Sequence, residues 1–392
     1  MKLIIQKWHL LIGLFFLFSS TQITGQVIPF TTENWEINAR GHLFDSFKGN
    51  QAIQLKNGIA WLKEVEFQNG IIEFDVYMEE KRSFSGILFR LEDRLNYEEI
   101  YLRAHLDGKP DAMQYTPVNN GLAAWQLYHD QGRAIIDGQI GWKVEHKGGY
   151  NALFHYPYGR WFHLKLIVSG TRADLYLDNQ TTPILQIREL KRGLTKGSIG
   201  IKSSLGAAYF ANFFYQKTDA VALTKLPDFD IESLPENIIP AWQISTTFSD
   251  TAIAGKQNLV PSFLMDKSWK TLKAEATGLT NIAILHQRNR AINTVFAKVI
   301  IQSDSDQIKR LDFGYSDRVQ VYCNQQIIYS GNNSYRSRDY RYLGSIGYFD
   351  SIYLPLKRGT NELILAVSET FGGWGLQGKL EDFEGIRVIE PE

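Results

Sequence analysis

A short alternating stretch carries side chains suited to sugar recognition. Between Ile100 and Leu106, aliphatic residues alternate with Tyr101, Arg103 and His105. If the aliphatic set faces a core, these three share the opposite strand face, and Arg90 from the preceding strand joins them. A tyrosine ring can stack on the C–H face of a sugar, while a guanidinium donates to hydroxyls or carboxylates. The alternative is an ordinary solvated face with cross-strand pairs.

The next segment, residues 108–121, is rich in turn-forming residues and side-chain amides. Loops at the ends of a rigid scaffold commonly carry binding sites. We expect this segment and the residues just after it to line a polar cleft with aromatic walls. The expected cleft residues are Asp111, Gln114, Tyr115, Asn119 and Trp125. The alternative is a structural connection whose polar side chains satisfy backbone groups.

The carboxylates nearest this cleft are the candidates for acid–base chemistry. Glu98 and Glu99 are neighbours on a predicted strand, so they point to opposite faces and at most one enters a cleft. Together with Asp111, one of them would form the carboxylate pair that a glycosidase needs. These three residues are the catalytic candidates if the protein is an enzyme.

Other catalytic and metal-binding patterns are weak. Glu73 and Asp75 lack the third carboxylate that family 16 glycosidases carry on the equivalent strand. No serine-nucleophile elbow, His-x-His spacing or phosphate-binding glycine loop occurs, so we expect no cofactor and no metal centre. Asp304 and Asp306 could supply ligands to a structural calcium ion, but the pattern favours a simple polar turn.

Composition and patterning predict an all-β protein. The charges balance, with 42 basic and 42 acidic residues, which disfavours nucleic acid as a partner. Segments 70–78 and 161–168 alternate apolar and polar residues, which is typical of half-buried antiparallel strands. We predict two β-sandwich (jelly-roll) domains joined by a proline-containing linker.

The predicted boundaries follow composition. Residues 1–26 have the layout of a signal peptide, with basic residues before a short apolar run. Residues 27–217 form the first predicted sandwich, residues 218–240 the linker, and residues 241–392 the second sandwich. No later segment is long and apolar enough to span a membrane, and no cysteine near residue 26 offers a lipid attachment site. We therefore expect a secreted or periplasmic bacterial protein.

The first half resembles a known family. The segment Phe84–Arg90 resembles a strand of concanavalin A-like lectin and glucanase sandwiches, and it is particularly similar to 3-keto-disaccharide hydrolase domains. Residues 158–161 and 175–179 fit the same layout. The resemblance implies a concanavalin A-like fold, which hosts lectins, adhesion modules and glycosidases alike.

The second half resembles a galactose-binding-like jelly roll. The resemblance lies in a hairpin over residues 319–331 and a strand pair over residues 354–367. Two further features stand out. The loop Ser334–Tyr342 interleaves three arginines with three tyrosines, and Phe371–Gly375 places aromatic residues among glycines. The first could contact an anionic glycan, the other domain or only its own domain, and Trp374 in the second could project or fold under the sandwich.

These observations predict an exported protein that binds a poly- or oligosaccharide through the concanavalin A-like domain. One alternative is a glycoside hydrolase or related sugar-cleaving enzyme that uses Glu98 or Glu99 with Asp111. A second alternative is an adhesion or structural module with no small ligand, which would present a broad exposed apolar patch.

Overall fold

The computed structural model describes residues 25–129, 133–136, 139–142, 149–226, 234–338 and 344–389. The predicted signal peptide lies outside these ranges except for its last two residues. Within the described ranges, no helix has the length and apolar character needed to cross a membrane.

In the described part of the first half, the regular elements are strands and one 3-10 turn, Ala104–Leu106. The strands are β1 Gln26–Val27, β2 Trp35–Phe47, β3 Asn50–Leu62, β4 Gly70–Tyr77, β5 Phe84–Asp93, β6 Asn96–Arg103, β7 Met113–Asn119, β8 Leu122–Ala123, β9 Arg133–Ile136, β10 Gln139–Trp142, β11 Asn151–Ala152, β12 Trp161–Ser169, β13 Arg172–Leu177, β14 Leu185–Ile187 and β15 Ser198–Lys217.

Where the structure describes the second half, it is also built of strands, with one short helix, α1, at Pro261–Met265 and 3-10 turns at Asp250–Ala252 and Ile282–Ile284. The strands are β16 Ala241–Ser245, β17 Trp269–Lys273, β18 Leu279–Asn281, β19 Thr294–Ser303, β20 Gln307–Ser316, β21 Arg318–Cys323, β22 Gln326–Asn332, β23 Asp350–Leu356, β24 Gly359–Ser368, β25 Gly375–Leu380 and β26 Ile386–Ile389. The all-β prediction is confirmed.

The long strand β15 links the two layers of the first sandwich. Its beginning pairs with β5 and its end pairs with β4, while β3 runs along most of it. We call β7, β6, β5 and the beginning of β15 sheet one. We call the end of β15, β4, β12, β13 and β14 sheet two. Ile87 and Ile100 of sheet one share one buried core with Phe74 and Leu164 of sheet two, so the apolar alternation defines the inside of a sandwich.

The second half packs two further sheets, in the orders β17-β16-β19-β24-β21-β22 and β18-β25-β20-β23. Trp242, Phe313 and Trp374 are fully buried in the core between them. Among the described residues, no strand of the first half pairs with a strand of the second half. The predicted domain boundaries stay a prediction, and residues 227–233 of the predicted linker lie outside the described residues.

Residues 124–128, which we call the docking segment, join the two halves. The Gln126 N–H donates to the Gly372 carbonyl at 3.0 Å, and the Ile346 N–H donates to the Gln126 carbonyl at 3.0 Å. Gly372 has a φ of +108°, and a Cβ atom there would lie 2.0 Å from Oε1 of Gln126. A glycine is therefore required where the second half receives the segment.

Candidate functional site

The outward face of sheet one gathers polar side chains from three strands. Tyr101 of β6 lies opposite Gln114 of β7, and Glu99 lies opposite Thr116 in the same register. Across the sheet, Lys202 of β15 pairs with Gly86 of β5, which in turn pairs with Tyr101. Since residues in register share a face, these side chains stand on the side of the sheet away from the sandwich core.

A network around Arg103 forms one end of this face. Arg103 Nη2 donates to the Tyr101 hydroxyl at 2.6 Å and also bonds the Gln114 amide oxygen. Its Nη1 donates to the Asp111 carbonyl at 2.7 Å and to Oδ2 of Asp111 at 3.1 Å. Burial raises the pKa of Tyr101 to about 12, so its hydroxyl stays protonated and donates to Gln114 at 2.8 Å. The network fixes the Arg103 guanidinium in one position.

Aromatic rings border the Arg103 network. The Arg103 guanidinium carbon lies 5.8 Å from the centre of the half-buried Trp125 ring. Gln114 Nε2 holds the backbone there by donating to the carbonyls of Trp125 at 2.9 Å and Tyr128 at 2.7 Å. The expected cleft residues Asp111, Gln114 and Trp125 therefore lie together with Tyr101 and Arg103.

A charged pair occupies the middle of the face. Lys202 Nζ donates to Oε2 of Glu99 at 2.7 Å and lies 3.5 Å from the Tyr97 hydroxyl. Burial lowers the pKa of the Lys202 ammonium, but the Glu99 carboxylate and Tyr97 outweigh it, and the net pKa is raised. The Lys202 side chain is 23% exposed and that of Glu99 only 3%, so the lysine is where this pair meets solvent.

Beyond this pair the face becomes apolar and opens into a cavity. Leu88 and Tyr97 pack with Leu91 and the partly buried Trp61. Trp61 and Leu91 also line a cavity of about 930 Å³, whose wall continues through Ser198. On this face Tyr101, Arg103 and Gln114 are themselves buried, so the groups that a ligand can reach are the Lys202 ammonium and the half-buried Trp125 ring. The cavity lies beside them, and its wall also contains charged residues such as Lys63 and Glu92.

Contrary to the prediction, Arg90 does not lie on the outward face of sheet one. Strict alternation after Gly86 and Leu88 predicts that Arg90 points outward, but the pairing of β5 shifts register after Phe89, and Arg90 has a φ of +49°. This bulge sends two consecutive side chains inward. Arg90 is completely buried, and its guanidinium donates to the carbonyls of Gln68, Gly170 and Gly193 at 2.6–2.9 Å. Arg90 therefore has a structural role, because it links the three loops that carry these carbonyls.

Glu98 and Tyr115 also lie inside the sandwich. Glu98 is fully buried, and its carboxylate accepts from the Tyr115 hydroxyl at 2.7 Å and from the Arg192 N–H at 3.1 Å. Burial raises the pKa of Glu98 to about 7. Asn119 is also buried and accepts from Arg192 Nη1 at 2.6 Å. Of the two neighbouring glutamates, only Glu99 stands on the outward face, and Asp111 is ion-paired with Arg103.

His105 departs from the predicted strand. Strand β6 ends at Arg103, and the chain turns into the 3-10 helix over 104–106. His105 is exposed, and its ring lies 5.1 Å from that of Phe84. Phe84 pairs with Arg103 across the strands, so the histidine stands at the rim of the face and not on it.

Sequence reasoning missed Lys202 and Tyr97. Tyr97 shares the odd-numbered face with Glu99, Tyr101 and Arg103, so the same alternation could have found it. Lys202 lies on a strand whose partners are far away in sequence, and nothing local predicts its pairing with Glu99.

A second polar cluster lies on the outer face of sheet two. His163 Nδ1 is 2.7 Å from Oδ1 of Asp75, and its Nε2 is 3.2 Å from Oε2 of Glu73. Hydrogen bonds to Asp75 and Glu73 raise the pKa of His163 to about 9. Because both ring nitrogens are bonded to carboxylates, the cluster is a closed ion-pair set.

The described residues contain no group of three or more His, Cys, Asp or Glu side chains placed to hold a metal ion. Asp306 accepts from Lys357 Nζ at 3.0 Å and from the Arg358 N–H at 2.8 Å, as in a polar turn. The structural calcium ion considered for Asp304 and Asp306 stays a prediction.

Residues 30–215 match the model of the 3-keto-alpha-glucoside-1,2-lyase-like domain family. This match confirms the resemblance of the first half to 3-keto-disaccharide hydrolase domains. The match ends before the second half, so the galactose-binding-like resemblance stays a prediction. No curated protein is similar enough to the chain to count as a match.

Solved structures give more distant likenesses. The carbohydrate-binding module CBM66 from Bacillus subtilis is 16% identical, with a TM-score of 0.33, and the match covers 47% of this chain and 96% of that one. A β-glucanase from Bacillus licheniformis is 13% identical, with a TM-score of 0.31, and the match covers 50% of this chain and 98% of that one.

Proposed function

We propose that the protein binds a carbohydrate on the outward face of sheet one. The observation that carries the proposal is that a lysine that reaches solvent, Lys202, and a half-buried aromatic ring, Trp125, border one polar face of a domain that matches a sugar-related family. The buried network of Tyr101, Arg103 and Gln114 holds that face rigid. Charged donors form stronger hydrogen bonds than neutral ones, and an aromatic ring supplies an apolar surface for a pyranose.

Lys202 is the residue on which binding most directly depends. It combines a fixed positive charge with access to solvent, whereas Glu99 below it is nearly enclosed. A sugar hydroxyl that accepts from the Lys202 ammonium would lie beside the Tyr97 hydroxyl as well. Replacing the lysine by methionine keeps the length of the side chain and removes the donor.

A glycan array probed with the wild-type protein, Lys202→Met and Lys165→Met tests the proposal. Lys165 is the matched control because it is also a strand lysine beside a glutamate, with Nζ 3.5 Å from Glu73, but it lies on sheet two. We expect the wild type and Lys165→Met to bind the same glycans, and Lys202→Met to lose them. Absence of glycan binding by the wild type, or undiminished binding by Lys202→Met, contradicts the proposal.

The second candidate function is sugar cleavage at the same place. We infer it from one arrangement: a nearly enclosed carboxylate, Glu99, bonded to a lysine that reaches solvent, in a domain whose family name refers to a lyase of 3-keto-α-glucosides. In such an elimination, Glu99 would take the proton from the carbon beside the ketone, and Lys202 would protonate the departing glycosidic oxygen. The electron pair of the C–H bond becomes the new C=C bond as the C–O bond breaks.

Mass spectrometry of glycans incubated with the protein separates these functions. Elimination gives an unsaturated sugar plus an alcohol with no added water, whereas hydrolysis adds one water molecule across the two products. Glu99→Gln should abolish either reaction while it retains binding. Bound glycans that are recovered unchanged, including a 3-keto-α-glucoside, would leave binding as the function and exclude cleavage.

A further inference from the structure

Three aromatic rings from separate chain segments meet at the edge of the candidate site. Trp125 comes from the docking segment of the first half, whereas Tyr335 and Phe371 come from the second half. The ring centres of Trp125 and Phe371 are 5.8 Å apart, those of Trp125 and Tyr335 are 6.2 Å apart, and those of Tyr335 and Phe371 are 5.8 Å apart. We call these three residues the aromatic triad.

The two triad residues of the second half are exposed in spite of their size, whereas Trp125 is half-buried. Phe371 is 56% exposed and Tyr335 is 37% exposed. Apolar surface left in water is unfavourable, and grouped exposed aromatic residues typically mark a contact surface. The companion residue Trp374, which the sequence left undecided, is instead fully buried, and its Nε1 donates to the Val367 carbonyl at 3.1 Å. In the second half, Trp374 is therefore buried in the core, whereas Phe371 is exposed at the surface.

Hydrogen bonds to two carboxylates fix the backbone of the loop that carries Phe371. The carboxylate of Asp317, a buried residue, accepts from the N–H groups of Thr370 at 2.8 Å and Phe371 at 3.0 Å. The Glu369 carboxylate accepts from the Gly373 N–H at 3.2 Å. These bonds fix the backbone on both sides of the ring, so displaying Phe371 costs little ordering entropy when a ligand arrives.

The triad continues the candidate site. Trp125 is shared by both: its ring lies 5.8 Å from the Arg103 guanidinium carbon, and its backbone carbonyl is held by Gln114. The exposed rings of the second half therefore stand directly beside the polar network of the first half. A sugar ring bound beside Trp125 would therefore adjoin Tyr335 and Phe371, whose ring centres lie 6.2 Å and 5.8 Å from that of Trp125.

We propose that Tyr335 and Phe371 form an additional subsite that binds the next ring of an oligosaccharide, so that the second half helps to select glycan length. This inference rests on the proposed sugar-binding function of sheet one. Rigid aromatic surfaces suit the apolar face of a pyranose. Two guanidinium groups lie beside the triad rings: that of Arg103, 5.8 Å from the Trp125 ring centre, is already ion-paired with Asp111, and that of Arg336 lies 4.9 Å from the Tyr335 ring centre.

The test uses the full chain and the gluco-oligosaccharide probes methyl α-glucoside, maltose and maltotriose, together with the mono- to tetrasaccharide members of whichever series the glycan array identifies. Affinities are measured by isothermal titration calorimetry for the wild type, Phe371→Ala, Tyr335→Ala and the control Tyr353→Ala. Tyr353 is a matched control because it is an aromatic residue of the second half, 68% exposed, outside the triad.

We expect Phe371→Ala and Tyr335→Ala to lose about three- to tenfold in affinity for the longer members, with affinity for the monosaccharide unchanged. Tyr353→Ala should match the wild type throughout. If the wild type binds and both triad variants show the same dependence on length as the wild type, the subsite is refuted and the proposed function stands. If the wild type binds no sugar of any length, the proposed function fails, and the subsite fails with it.

Discussion

Replacing Glu98 by glutamine should change how the stability of the first half depends on pH. Glu98 is fully buried, and burial raises its pKa from 4.5 to about 7. A carboxyl group with a raised folded-state pKa keeps its proton in the folded state over a range where the unfolded state has lost it. Stability therefore falls as the pH rises from about 4.5 to about 7 and is constant above that.

The size of this effect follows from the two pKa values. The difference between 4.5 and about 7 corresponds to about 3 kcal/mol, at 1.36 kcal/mol for each pH unit. Glutamine cannot ionise, so Glu98→Gln lacks this loss. The variant also disturbs the bonds from Tyr115 and Arg192, which costs about 1 kcal/mol at every pH. The variant should thus be less stable than the wild type at pH 4.5 and more stable at pH 8.

Urea unfolding followed by tryptophan fluorescence at several pH values between 4.5 and 8.5 measures the effect. Glu66→Gln is the control for replacing a glutamate by glutamine, because that side chain is 69% exposed. A difference between Glu98→Gln and the wild type that stays constant across this range would refute the reasoning. Glycan binding by Glu98→Gln should be unchanged, since Glu98 does not reach the outward face.

Three further perturbations follow from the structure. His163→Gln should lower the free energy of unfolding by about 1 kcal/mol below pH 6.5, because the pKa raised to about 9 means that the folded state stabilises the charged imidazole. The effect is this small because the side chain is 34% exposed and screened by solvent. In urea unfolding, the difference from the wild type should disappear as the pH rises to about 9 and above. Arg90→Met should lower the free energy of unfolding, measured in urea, by about 3 kcal/mol or more, because the carbonyls of Gly170 and Gly193 would lose their hydrogen-bond donor. A decrease of less than about 1 kcal/mol contradicts the structural role of Arg90. Gly372→Ala should loosen the contact between the halves, because a Cβ atom at a φ of +108° would clash with the Gln126 side chain. We expect faster proteolytic cleavage at the docking segment. An unchanged cleavage rate would count against that contact.

The sequence predicts much of the fold because alternation is a local property. Phe74 and Val76 face the core, and Tyr101 and Arg103 share the opposite face of their own strand, as the period of two requires. Arg90 breaks the pattern because a single bulge residue reverses the facing of everything after it, and no neighbouring residue type announces the bulge.

The rest of the candidate site depends on contacts between distant segments. Glu99 and Lys202 are 103 residues apart, and their pairing is set by the path of β15 through both sheets. The partnership of Trp125 with Phe371 requires knowledge of how the two halves dock. The burial of Trp374 beside the exposed Phe371 depends on the glycine-rich turn between them, whose path the sequence leaves open.

The most direct test of sugar binding on sheet one is a crystal structure of the protein soaked with the strongest glycan from the array. We expect one sugar ring within hydrogen-bond distance of Lys202 Nζ and another in contact with the Trp125 ring. A glycan bound instead at the His163 cluster of sheet two, or only on the second half, would contradict this account.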